Sequence, residues 1–147
     1  MLHQAANLSQ FKALSGNYRY LLIAAHADYN GEKPDQTGII FSPNEGDGNA
    51  IFYMGDAYNL RLQADLVVLS CCETGMGKSH NGEGTMALNR GFLYKKKKNV
   101  IYTLFKVYDR ESSELTTELF RALLSDAEPI TALRQAKLHL IQRGLMP

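Results

Sequence analysis

The sequence predicts an α/β domain with a mostly parallel central sheet and helices on both faces. Three observations point to it. Leu66-Val67-Val68-Leu69 is an uninterrupted apolar run between Asp65 and a polar, glycine-punctuated segment, the pattern of a parallel strand covered on both faces. Strand-like and helix-like stretches alternate through the second half of the chain, which favours strand–helix–strand units. The 147 residues are 45% hydrophobic and 21% charged. That is one domain's worth of chain, which on folding buries roughly 70% of the surface its unfolded form exposes.

In chain order, residues 1–17 mix Asn, Gln, Ser and Lys with a few Leu and Phe, at best a loose helical pattern, and read as an N-terminal arm to a domain over 18–147. Tyr18 to Ala25, aromatic and aliphatic but for Arg19, predicts a strand running straight into His26. Asn30-Gly31, Pro34-Asp35 and Thr37-Gly38 punctuate a loop. Ile39 to Ser42 and Ala50 to Met54 then predict a hairpin around a long tip at Pro43 to Asn49. Gly55 to Gln63 reads as a short helix before the strand that opens after Asp65. Glu83 to Lys97 places Met86, Leu88, Phe92 and Leu93 on one helical stripe. Asn99 to Phe105 is a second strand of buried type. Asp109-Arg110-Glu111-Ser112 caps a helix to about Ser125, and Pro129 opens a last helix to Arg143 with Gly144 as its stop signal.

Composition excludes several function classes. The formal net charge is +1, so no global field recruits nucleic acid or an anionic membrane. Lys95 to Lys98 read as cations at a helix C-terminus before they read as a nucleic-acid patch. The longest apolar runs fall short of a membrane span, and no basic-then-apolar leader opens the chain, so a cytoplasmic location is expected. The two cysteines, Cys71 and Cys72, are adjacent, which does not staple distant segments and suggests a reducing compartment.

The chemistry concentrates where the predicted strands end. In open α/β sheets reacting groups collect at the carboxyl ends of strands. Cys72 ends one such strand and His26 another, and a histidine within reach is the commonest agent that turns a cysteine into a nucleophile. They meet if the two strands are neighbours. Alternation along an extended segment turns one adjacent thiol inward, so Cys71 reads as core. Structural readings compete at both sites: buried filler for Cys72 and a satisfied core histidine for His26. Cys72 to Ser79 also fits a phosphate-binding loop except at its first position, where glycine is required, and His80-Asn81-Gly82 breaks the helix such a loop should open. Lys78 stands where a cysteine phosphatase needs arginine. The four histidines show no paired metal-ligand spacing, so no metal and no cofactor is expected.

Several motifs in order resemble the CHAT domain, a caspase-like cysteine peptidase family related to separase and often linked to TPR repeats. They are Ser70-Cys71-Cys72-Glu73-Thr74-Gly75, Gly82-Glu83-Gly84, Arg90-Gly91-Phe92-Leu93, Val100 to Asp109, and Ile130-Thr131-Ala132-Leu133-Arg134-Gln135-Ala136. The resemblance implies a caspase-like three-layer sandwich and a cysteine endopeptidase acting on protein or peptide substrates through a thioester acyl-enzyme. It implies Cys72 as nucleophile, His26 as proton carrier, and backbone N–H groups of Ala27 and Cys72 as oxyanion donors. Each such donor is worth about 3 kcal/mol of barrier in hydrolases. By similarity with separase, Asp109 would line a specificity pocket for a basic residue before the scissile bond; read from its neighbours alone, it is a helix N-cap. A TPR or other module would recruit the substrate, and the chain resembles the C-terminal part of a longer family domain. Ala27 stands where the family carries glycine, which favours the alternative of a catalytically silent, CHAT-like interaction domain.

Overall fold

The computed structural model describes residues 6–28, 33, 36–43, 50–73, 90–93, 99–103 and 109–145, with the side chains of Met54, Cys71, Cys72, Glu73 and Asp109 outside the description. These residues fall into two compact units, Met1–Lys106 and Val107–Pro147.

In the first unit, helix α1 (Leu8–Leu14) and a 3-10 turn (Ser15–Asn17) lead into strand β1 (Tyr20–Asp28). Strands β2 (Gly38–Ile40) and β3 (Ile51–Tyr53), helix α2 (Met54–Asn59), and strands β4 (Leu66–Glu73) and β5 (Asn99–Tyr102) follow. The described strands form one sheet in the order β3-β2-β1-β4-β5. β1, β4 and β5 are parallel, and β2 joins β1 antiparallel and β3 antiparallel. The α/β class expected from the sequence is the class observed. The expected hairpin is β2–β3, and its tip at 44–49 lies outside the described residues.

Burial explains the strands. Along β1, Leu21, Ile23 and Ala27 are buried while Leu22, Ala24, His26 and Asp28 are exposed, the period of two that one packed face imposes. On β4, Leu66, Val67, Val68 and Leu69 are all buried, the continuous run of a strand covered on both sides. Leu21, Ile23, Ala27, Val67 and Leu69 belong to one core with Ile39, Phe52, Ala57 and Phe92.

Helix α1 is where a loose helical pattern was expected. Asn7 caps it, its Oδ1 accepting from the Gln10 N–H at 2.9 Å, which satisfies one of the orphan donors of a first turn. Phe11 then enters the core, its ring 4.9 Å from Phe41 and 5.3 Å from Phe52, and Phe52 stacks on Phe92 at 6.0 Å. α2 starts where the Asp56 carboxylate accepts from the Tyr53 N–H at 3.0 Å. Gly38 is needed in β2: a Cβ there would collide with the Ile51 side chain and stand 3.1 Å from the Phe52 carbonyl oxygen.

The second unit is a helical hairpin of α3 (Asp109–Leu124) and α4 (Pro129–Gln142). Leu119, Leu123, Ala132, Ala136 and Leu140 are its buried residues. The turn places Asp126 at φ 60, a left-handed conformation that aspartate tolerates, and the Ala127 N–H closes it onto the Ala122 carbonyl at 3.1 Å. Pro129 occupies the first turn of α4 and Gly144, at φ 68, ends it, with the Leu145 N–H returning to the Leu140 carbonyl at 3.0 Å. Arg143 spans the hairpin to Glu114 at 2.9 Å. Glu118 carries a hydrogen bond from Arg121, which, with the charges of Arg121, His139 and Arg143, holds its carboxyl below the ordinary glutamate range.

Candidate active site

Two parallel strands build the site, and their alignment begins far from it. At the amino ends of β1 and β4, the Asp65 N–H donates to the Arg19 carbonyl at 2.7 Å while Arg19 Nε donates to Asp65 Oδ2 at 3.0 Å. From there the ladder runs in unbroken register from Tyr20↔Leu66 to Ala27↔Glu73. Its seventh pair is His26↔Cys72. Neighbouring strands lie about 4.8 Å apart, and residues in register across a parallel pair share a face of the sheet. Cys72 therefore occupies the position beside His26, on the face turned away from the Phe52 core.

Both strands run further than their apolar runs alone indicate. β1 continues through His26 to Asp28 and β4 through both thiols to Glu73, so His26 and Cys72 stand in the last turn of the pleat and not in the loops beyond. Cys71 pairs with Ala25, a residue packed against the core; the Cys71 side chain, which the sequence expects in the core, lies outside the description. His26 itself is exposed.

Ala27 lies in both ladders of β1, opposite Ile39 and Glu73. Its methyl is 6% exposed and belongs to the core, on the opposite face from His26. Asp126 is the only described non-glycine residue with positive φ, so Ala27 has a conformation open to any side chain. Asp109 is the first residue of α3, in the other unit, and its side chain is outside the description. Thr74 to Ser79, the rest of the phosphate-loop-like stretch, lies outside the described residues, as do Lys95 to Lys98. Among the described residues, no group of three His, Cys, Asp or Glu could hold a metal ion, and no helix is long and apolar enough to cross a membrane.

One feature of the site was missed by sequence reasoning. A cleft of about 540 Å³ runs beside β1, walled by Tyr20 to His26 on one side and by residues of α1 and Ile40 to Ser42 on others. Leu14, Tyr18, Leu22 and Ile40 line it and are exposed. The run from Tyr20 to Ala25 is apolar at both parities, which hides which side chains face solvent. The usable signal was His26: its parity marks the open face and assigns Leu22 to it.

Compared with known families, the chain matches the sequence model of the CHAT domain over residues 1–145. No curated protein matches it.

Proposed function

Because the chain belongs to the CHAT domain family, we propose that it is a cysteine endopeptidase in which Cys72 is the nucleophile and His26 the proton carrier. The observation that carries this reading is the parallel register pairing His26 with Cys72 near the carboxyl ends of two adjacent strands. A lone exposed histidine needs no partner, but one held a strand's spacing from a cysteine has a route for proton transfer.

In this reading His26 takes the Sγ proton as the sulfur attacks the carbonyl carbon of a scissile peptide bond. The carbonyl oxygen becomes an oxyanion, for which the Cys72 N–H is the proposed donor; Ala27, the other expected donor, is paired in both ladders of β1. On collapse the carbon–nitrogen bond breaks and His26 returns its proton to the leaving nitrogen, leaving a thioester on Cys72. Water, deprotonated by His26, then hydrolyses the thioester and restores the thiol. None of these steps requires a metal. Asp109 is the proposed partner of a basic side chain before the scissile bond, and a TPR-type module the proposed recruiter of substrate proteins.

The test is labelling by a peptidyl acyloxymethyl ketone with Arg or Lys at its reactive end, read by mass spectrometry on protein shown to be folded. An adduct on Cys72 that disappears in His26→Ala supports the dyad. No adduct on Cys72 makes the chain a catalytically silent interaction domain.

A further inference from the structure

The cleft beside β1 has no role in the dyad, yet His26 is the last residue of its β1 wall. The sheet order makes the relation definite: β4, carrying Cys72, and then β1, carrying His26, with the cleft along the flank of β1. A proton carrier must face the nitrogen that departs. The substrate chain on the leaving side therefore crosses His26 away from Cys72, and the surface it meets there is this cleft. Its described walls contain no Lys, Arg, Asp or Glu, and four of the apolar or aromatic residues that line it, Leu14, Tyr18, Leu22 and Ile40, are exposed. An uncharged wall leaves a charged side chain without a partner and pays for its desolvation with nothing.

We infer that this cleft is the subsite for the residues following the scissile bond, and that it selects an uncharged, apolar segment of the protein substrate. The inference rests on the peptidase reading above and adds a second selectivity to it, for the residues after the scissile bond.

Two peptide amides with free amino termini, Leu-Thr-Leu-Thr and Glu-Lys-Glu-Lys, serve as probes of leaving-side binding to the whole chain by calorimetric titration. The apolar peptide is expected to bind about tenfold tighter or better, the equivalent of burying one leucine side chain. Its binding should slow amide hydrogen exchange within Tyr20 to His26. Leu22→Lys and Ile40→Lys, both at exposed positions, should each weaken it by about tenfold. Equal affinity for the two peptides, protection elsewhere, or no effect of either lysine overturns the inference. Ketone labelling of Cys72 in the unsubstituted protein separates the two failures. Labelling without apolar preference sinks the cleft assignment alone. Apolar binding without labelling sinks the peptidase reading and the leaving-side assignment with it.

Discussion

The two faces of β1 differ in what constrains them. Leu21, Ile23 and Ala27 pack with Ile39, Phe52 and Phe92, while Leu22, Ala24 and His26, one residue out of phase, are exposed. A slip of one residue would exchange the two sets. The packed face therefore holds the register, and the register is what brings His26 opposite Cys72. The packed residues and the proposed proton carrier occupy alternate positions of one strand, so each should be alterable with little cost to the other.

The largest expected effect is on the open face. His26→Ala should lower the rate of Cys72 labelling or peptide cleavage by about a thousandfold while shifting stability by no more than about 0.5 kcal/mol, measured by denaturant titration of the same sample. A parallel loss of stability would show that the faces are not separable. On the packed face the balance should reverse. Phe52→Ala removes a ring with no exposure that touches Phe11 and Phe92, and should cost about 4 kcal/mol. Smaller is Gly38→Ala, about 2 kcal/mol from overpacking against Ile51; an unchanged midpoint would mean that the hairpin shifts freely and contributes nothing to holding β1.

The faces of β1 also show what a sequence reveals and hides. Its existence as a strand, the hairpin after it and the helices from Asp109 and Pro129 follow from propensity and caps, which are local. Whether β1 and β4 are neighbours is not local. Cys72 and His26 could be named as candidates from strand ends, but their pairing needed the sheet order. Phe11 was overlooked because the surrounding Asn, Gln and Ser resemble a solvated arm; Asn7 capping Gln10 was the available signal. Ala27 and His26 are adjacent in sequence, yet alternation places them on opposite faces of the sheet.

The helical hairpin offers the contrast of a region held by local contacts, and its effects are the smallest. Breaking the Arg143–Glu114 pair with Arg143→Ala should cost under about 1 kcal/mol, since both partners keep solvent exposure. Glu118, with its carboxyl held low by Arg121 and the neighbouring cations, gives a stabilising contribution that is complete above the ordinary glutamate range and fades as pH falls through its depressed folded value. Acid titrations of Glu118→Gln and the parent chain should therefore converge at low pH and separate slightly at neutral pH; separation only in acid would reverse the sign.

The clamp between Arg19 and Asp65 has a consequence for how the chain tolerates changes in length. Asp65 precedes Cys72 by the same interval at which Arg19 precedes His26, so the two strands act as calipers of equal arm opened from one hinge. Residues added between Asp28 and Asp65 leave the arms equal and the tips aligned. One residue added within either arm moves a single tip past its mate and turns it to the other side of the sheet, and a second insertion in the opposite arm brings the tips level again.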